Sequence, residues 1–592
     1  MAAPRIIVVG GGLAGLAAVI KIAEAGGAVD LFSIVPVKRS HSVCAQGGIN
    51  AAKNLKGEGD TPALHFDDTI YGGDFLANQT PVKAMCEAAP GIIDLLDRMG
   101  VPFNRTPEGL LDFRRFGGTL FNRTAFAGAT TGQQLLYALD EQVRRHEADG
   151  KVKKYEGWEF LSAVLDSKGQ ARGITALDLR TMELRSFPAD AIILATGGIG
   201  AIFGKSTNSV VCTGSAQSAI YQQGAYYANG ELVQVHPTAI PGEDKLRLMS
   251  ESARGEGGRV WVPRTPGDKR PVKQIPEAER FYFLEEWYPK YGNLVPRDVA
   301  TRAIFKVVYE EGLGIDGQPM VYLDLSHIDR ATLDRKLGGI LEIYEKFVGD
   351  DPHEVPMKIF PGMHYTMGGL WVDFNQMTNI PGIFAAGECE YQYHGANRLG
   401  ANSLVSCIYG GFIAGPNALK YAKGLEGAEG DGGHGAELAR QAEINAKLMT
   451  SEGTENPFRL WRELGATMTE HATVIRYNKG LKKADEKVVE LLDRYKNVNL
   501  SDRSQWANTS FAFARQLKNM LELSRVVAQG ALLRDESRGA HYKPDFPDRN
   551  DEKFLKTTKA SFTGEAAGPR FEYEEVDTQF IKPRPRRYDA AK

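Results

Sequence analysis

Clustered cysteine, long apolar runs and net charge are what this sequence has little of. Its five cysteines, Cys44, Cys86, Cys212, Cys389 and Cys407, are scattered with no C-x-x-C pair. That excludes a zinc or iron–sulfur centre built from this chain alone and fits free thiols in a reducing compartment; we expect no metal site. No uninterrupted apolar run approaches the roughly 18 residues needed to span a bilayer. Only Met1 to Pro4 precede the first strand pattern, so we expect no signal, transit or twin-arginine peptide and a cytosolic chain of bacterial type. With 71 basic against 74 acidic residues the net charge is -3, which provides no global field for nucleic acid or an anionic membrane. Any anion binding must be local.

Glycine, in contrast, is abundant: 65 of 592 residues, about 11% where about 7% is usual. Such an excess points to close backbone approaches, as around a cofactor. Arg5 to Val9 is a short β-branched run, followed by Gly10-Gly11-Gly12-Leu13-Ala14-Gly15 and an Ala-rich helix-forming stretch. Strand, glycine turn and helix in this order form a dinucleotide-binding beginning. Gly10 makes the turn, Gly12 admits a pyrophosphate and Gly15 lets helix approach strand. The second strand, Ala28 to Phe32, ends at Ser33 where an acid for the adenosine ribose is expected, and Asp30 lies inside the strand. The loop therefore leaves NAD and FAD open. Two later stretches favour FAD. Ala191 to Leu194 empties into Ala195-Thr196-Gly197-Gly198, and Ile383-Phe384-Ala385-Ala386-Gly387-Glu388 repeats the theme. In two-dinucleotide-fold flavoproteins an acid at such a place, here Glu388, binds the flavin's ribityl chain.

The length predicts several cores. We expect an α/β chain: an FAD-binding two-dinucleotide, Rossmann-like fold over 1–236 and 357–422, interrupted by an α+β capping domain at 237–356. A glycine-rich linker, Lys423 to Ala436, leads to a helical bundle over 437–540, read from the apolar period of three to four residues. A Pro- and charge-rich tail follows over 541–592, and its final basic run reads as solvated. Within the first part, helices are expected at Pro81 to Gly100 and Gly132 to Ala148, with a small β patch from Glu159 to Phe187.

Histidines and arginines beside glycines mark the chemistry. His41 sits in a polar loop, Arg39-Ser40-His41-Ser42-Val43-Cys44-Ala45-Gln46-Gly47-Gly48. His236 precedes a proline at the entry to the inserted lobe. Glu251 and Arg254 are three apart, close enough to pair on one helical turn. Arg297 opens a helix at an end that favours anions, a local conflict that hints at function. His364 and Arg398 each lie beside glycines, and arginine grips a carboxylate with two parallel bonds. Together they describe a flavin bracketed by a pocket for a small dianion.

The ordered motifs RSHSVCAQGGI, HPTAIPG, SESARGEGG, PRD, HYTMGG, GIFAAGE, HGANRLGANSL and DESRGAH resemble the flavoprotein subunits of succinate dehydrogenase and fumarate reductase over essentially the whole chain. SESARGEGGRVW and the long HPTAIPGEDKLRLM look closest to the bacterial menaquinone-linked group with a diheme cytochrome b anchor. The resemblance implies FAD bonded covalently to a ring nitrogen of His41. It implies cofactor contacts from Gly10, Gly12, Gly15, Ser33, Ser42, Gln46, Gly47, Gly48, Ala195, Thr196, Gly197, Glu388, Ser403 and Leu404. His236, Ser250, His364 and Arg398 would hold the carboxylates of succinate or fumarate, with Phe116 near the pocket. Ser250 departs from the threonine of other members and keeps the hydroxyl. Arg297 would move the proton, with Glu251 and Arg254 as its relay. Lacking cluster ligands, the chain would pass electrons to an iron–sulfur subunit and through it to a membrane cytochrome b anchor and quinone, at the cytoplasmic face of the inner membrane. Two alternatives are weaker. A soluble L-aspartate oxidase shares the fold but not the attachment histidine, and a flavin electron-transfer module needs neither His236, Arg297 nor Arg398. The balanced charge disfavours an RNA-modifying flavoprotein.

Overall fold

The structure, a computed structural model, describes residues 4–242, 245–425, 432–564 and 567–588. Its centre is a parallel sheet of five strands in the order Ile383–Ala385, Ala191–Leu194, Arg5–Val9, Ala28–Ser33, Val152–Glu156. The inner strands are apolar on both faces, as expected where helices or sheets cover each side. Gly10 takes φ +118°, and a Cβ there would collide with the Ala195 carbonyl; one at Gly15 would collide with the carbonyl of Gly10. The helix Leu13–Glu24 can therefore press on the sheet, and the long helix Asn402–Lys423 packs across it. An antiparallel meander, Trp158–Leu165, Ala171–Asp178 and Leu184–Pro188, stands on the expected β patch. Helices Gln79–Arg98 and Thr131–Ala148 stand at the expected places with slightly shifted ends.

The inserted lobe is built on a six-stranded sheet, ordered Arg247–Leu248, Val233–Ile240, Met357–Thr366, Val321–Asp324, Arg259–Pro263, Arg280–Phe281. The strand Val233–Ile240 crosses the expected boundary at 237, and its partner Met357–Thr366 begins at the other expected boundary, 357. Their pairing is irregular on either side of His236. Such a bulge accommodates Pro237 and re-aims the neighbouring side chain.

Four helices follow, His434–Met449, Pro457–Ala472, Asn478–Tyr495 and Thr509–Leu533. Asn456 and Asn508 cap two of them through side-chain oxygens. The middle of the glycine-rich linker, 426–431, lies outside the described residues. The C-terminal segment departs from the expected solvated tail. Lys556–Ser561 pairs with Arg570–Glu575 and with Tyr227–Ala228, and both the Arg586 side chain and Tyr588 are buried. Its charges meet acids far away in sequence, which no local pattern reveals. No described helix is long and apolar enough to cross a membrane.

Candidate active site

A cavity of about 480 Å³ reaches from the Gly10–Gly12 loop to His236 and Arg297. Its walls bring together Gly10, Gly12, Ser33, His41, Ser42, Gln46, Gly47, Gly48, Ala195, Thr196, Gly197, Glu388, Ser403 and Leu404, with Phe116, Ser250, Glu251, His364 and Arg398. Gly15 and Arg254 stand behind the walls, the first beneath the glycine turn and the second behind Glu251. The N-terminus of the helix Leu13–Glu24 has no side-chain cap and no acid in its first turn. Its partial positive charge suits a pyrophosphate, and its Leu13 N–H donates to the Ser42 hydroxyl at 3.2 Å. Glu388 accepts from the Thr366 N–H at 3.0 Å and hydroxyl at 3.3 Å through one oxygen. Burial pushes its pKa up to about 7 against the opposing pull of Thr366 and Arg398. These features fit a flavin dinucleotide laid along the cavity.

His41 begins a short turn, His41–Cys44. Its Nδ1 accepts from the Ser209 N–H at 3.1 Å, and its Nε2 lies 3.2 Å from the Asn208 amide nitrogen. That amide also donates to the His364 carbonyl at 2.8 Å, which fixes its orientation. Burial first, and then the Lys245 charge, push the His41 pKa down to about 4. The ring is thus a neutral imidazole, with its lone pair at Nδ1 and its proton at Nε2, held in place by neighbours on both edges.

The other end of the cavity concentrates positive charge. Arg297 donates to Glu251 Oε2 from Nε at 3.0 Å and from Nη2 at 2.7 Å. The second oxygen of Glu251 accepts from Arg254 at 2.7 Å, and Arg254 also donates to the Asn293 carbonyl at 2.6 Å. Burial alone would raise the Glu251 pKa, but the two guanidinium groups overcome it and hold the carboxyl below its ordinary value. Arg398 is only 2% exposed and lies 4.3 Å over the Tyr365 ring. Among the described residues it forms no ion pair, and its Nε has no partner. Burial, then Arg297, lowers its pKa to about 9. A desolvated guanidinium without a counter-ion is costly and calls for an anion.

Two histidines face each other at 4.9 Å between ring centres, edge to face. His236 Nδ1 accepts from the Thr238 N–H at 3.2 Å, so Nε2 carries the proton, and this buried atom has no partner. His364 Nδ1 lies 2.7 Å from the Thr207 hydroxyl. Burial and then the Arg297 charge keep both rings well below the usual histidine range, hence neutral. Ser250 and Ser252 hydroxyls are 2.6 Å apart. Among the described residues no cluster of three or more His, Cys, Asp and Glu side chains is placed to hold a metal ion.

Sequence reasoning missed Gln234. Its side-chain oxygen accepts from Arg297 Nη1 at 3.0 Å, while its nitrogen donates to the Arg398 carbonyl at 2.8 Å and to Asn397 Oδ1 at 2.9 Å. It thus couples the two arginines. The signal was available: two residues before His236 on a strand, it points to the same face. Thr207 and Asn208, which orient His364 and His41, sit in an irregular segment and carried no such signal.

Residues 5–404 match the family described as FAD binding domain, and residues 461–588 match fumarate reductase flavoprotein C-term. The chain is 64% identical to the succinate dehydrogenase flavoprotein subunit of Bacillus subtilis, covering 100% of both. It is 34% identical to the fumarate reductase flavoprotein subunit of Escherichia coli, over 98% of this chain and 95% of that one. An Escherichia coli quinol fumarate reductase structure superposes with a TM-score of 0.91 at 32% identity, with 100% of both chains covered. A quinol-fumarate reductase with menaquinol molecules gives 0.89 at 32% identity, over 99% of this chain and 100% of that one.

Proposed function

From the premise that the chain belongs to the family of succinate dehydrogenase and fumarate reductase flavoprotein subunits, an FAD-dependent oxidoreductase, we propose the following division of labour among its residues. The observation that carries it is the buried, unpaired Arg398 guanidinium beside the Arg297–Glu251–Arg254 chain. Arg398, His364, His236 and Ser250 clamp the two carboxylates of succinate or fumarate, with Phe116 closing the pocket beside Gly47. His236 offers its orphaned Nε2–H as a donor. Clamping both ends fixes the central carbons against the cofactor, and positioning of this kind can lower a barrier by up to about 7 to 11 kcal/mol. Bound FAD supplies the two-electron acceptor or donor. Arg297 takes the proton from the neighbouring carbon in oxidation and returns it in reduction. An arginine is ordinarily a poor base; the Glu251 carboxylate, bonded to both Arg297 and Arg254, gives the proton a hydrogen-bonded path away from the site. Glu251 and Arg254 then renew the protonation of Arg297.

We further assign the covalent tether of the flavin to His41, supported by its neutral, firmly oriented ring. The five scattered cysteines support an iron–sulfur partner subunit as the electron outlet. A membrane cytochrome b anchor of the diheme, menaquinone-linked kind follows from the sequence resemblance, and quinone is reached only through these partners. The subunit then sits peripherally at the cytoplasmic face of the bacterial inner membrane. The division into FAD-binding (1–236, 357–422), capping (237–356), helical (437–540) and C-terminal (541–592) units belongs to the same proposal.

Acid precipitation tests the tether: yellow colour stays with the pellet of the parent and leaves with the supernatant of His41→Ala, and release from the parent overturns the assignment. Succinate oxidation with an artificial acceptor tests the proton step. Arg297→Lys lowers turnover per flavin by about 100-fold or more, within the usual contribution of a general acid–base group; parent-like turnover removes Arg297 from the reaction.

A further inference from the structure

The basic run at the C-terminus is docked, and where it docks bears on the reaction. The Gln79 side-chain oxygen accepts from the Phe580 and Ile581 N–H groups at 2.8 Å each. Arg584 then pairs with Asp67 at 2.5 Å. The Tyr71 hydroxyl accepts from the Arg587 N–H at 2.6 Å and donates to the Arg587 carbonyl at 3.0 Å. Asp67 and Tyr71 lie on the helix Pro62–Gly72 of the nucleotide-binding part. From there the segment crosses to the inserted lobe. Arg586 sends two bonds, 2.6 and 2.9 Å, to the two oxygens of Asp298, and the Tyr588 ring meets Tyr291 at 5.1 Å between centres. Asp298 follows Arg297 directly in the first turn of the helix Arg297–Phe305.

We propose that Arg586 is a positioning residue for Arg297: through Asp298 it fixes the first turn of the helix that presents the proton-transferring guanidinium, and so ties the inserted lobe to the nucleotide-binding part. The Arg297 guanidinium is gripped by Glu251 and Gln234 at its far end, but its backbone end depends on where the helix begins. Asp298 is fully buried at its side chain. Its other ion-pair partner is Arg302, at 3.2 Å and 29% exposed, whereas Arg586 is 7% exposed and binds in the two-bond geometry that specifies position as well as charge. Without Arg586 the buried carboxylate keeps Arg302 as its single ion-pair partner, and the helix start is free to shift toward water. A displacement of about 1 Å at a reacting group costs on the order of 100-fold in rate.

The proposal rests on Arg297 as the proton carrier, so Arg297→Lys runs beside the Arg586 variants in the flavinylated holoenzyme. In Arg586→Ala, kcat for succinate per bound flavin falls about tenfold to 100-fold. The dissociation constant of malonate, a dicarboxylate that cannot be desaturated, read from the flavin spectrum, changes less than about threefold, because the clamp of Arg398, His364 and His236 is intact. Added guanidinium restores part of the lost kcat in Arg586→Ala and none in Arg297→Lys. A purely structural strap gives the opposite result: flavin content or melting temperature drops while kcat per flavin stays at the parent value, and this overturns the proposal. Should Arg586→Ala fail to fold, Arg586→Lys decides, since it keeps the charge and loses the paired geometry. A severalfold lower kcat supports the role, and parent kcat ends it. Active Arg297→Lys would instead overturn the proton assignment on which the proposal stands.

Discussion

Gln234 shows how much of this site depends on one neutral side chain. Its amide turns its oxygen to the Arg297 guanidinium and its nitrogen to the Arg398 carbonyl, so the proposed proton carrier and the proposed carboxylate clamp share one spacer. Gln234→Leu keeps the volume but strips Arg297 Nη1 of its acceptor. Hydrogen bonds to charged groups contribute about 1.5–3 kcal/mol, and we expect kcat/KM for succinate to fall by about tenfold to 100-fold with flavin still attached. Steady-state kinetics normalised to bound flavin check this, and a parent value would show that Glu251 alone holds Arg297. The site histidines were legible as residues, whereas their hydrogen-bonded edges were not. A sequence places His41 and His236 in loops and corners; only the fold brings Ser209 and Asn208, 168 and 167 residues away, onto the two ring nitrogens of His41.

The helix Arg297–Phe305 carries the sharpest conflict among the elements, a buried cation at a positive helix end. Asp298 in its first turn answers that field, and Arg586 answers Asp298. Pro296-Arg297-Asp298 announced the helix start correctly, as the alternation of strand, glycine turn and helix announced the parallel sheet. The docked tail was illegible for a definite reason: a run of arginines specifies charge but not partner, and the acids it meets lie 288 and 517 residues away. Burial raises the Asp298 pKa, but Arg586 and Arg302 outweigh it and bring it to about 2 from an ordinary 3.8. A depressed carboxyl stabilises the fold above its unfolded pKa, and that stability is lost as pH falls through the folded value; here it amounts to about 2 kcal/mol between roughly pH 4 and pH 2. The melting-temperature gap between the parent and Arg586→Ala is therefore expected to stay constant above about pH 5 and to close toward about pH 2. A gap indifferent to acid would mean that the tail acts by packing alone.

Across the whole molecule, the strand that lines the cavity with His236 is anchored from the far end of the chain. Glu231, just before the strand Val233–Ile240 that carries Gln234 and His236, accepts from Arg534 at 2.8 Å. Arg534 also donates to Glu536 at 2.9 Å, and Glu536 accepts from Arg538 at 2.8 and 3.0 Å. Arg538 continues to Asp551 at 2.8 Å, and Arg549 joins Asp551 to Asp74, each at 2.8 Å. The Asp-Glu-Ser-Arg-Gly-Ala-His stretch at 535–541, which helped to identify the family, is thus a buried ionic knot outside the cavity. It joins the helical part and the C-terminal segment to Asp74 and Glu231 of the first nucleotide-binding segment. Glu536 lies between two guanidinium groups that are fully buried. Replacing it by glutamine keeps the shape and leaves both cations short of a counter-charge; breaking a buried pair from one side costs about 3–5 kcal/mol. We expect Glu536→Gln to lower the melting temperature of the flavinylated protein sharply, while Glu552→Gln, on an exposed residue, changes stability by no more than about 0.5 kcal/mol. Turnover per flavin in the folded fraction of Glu536→Gln should stay within about twofold of the parent, because no atom of the knot reaches the cavity. If turnover collapsed without a change in melting, the knot would be setting the geometry of Gln234 and His236 through Glu231, and stability would be the lesser part of its role.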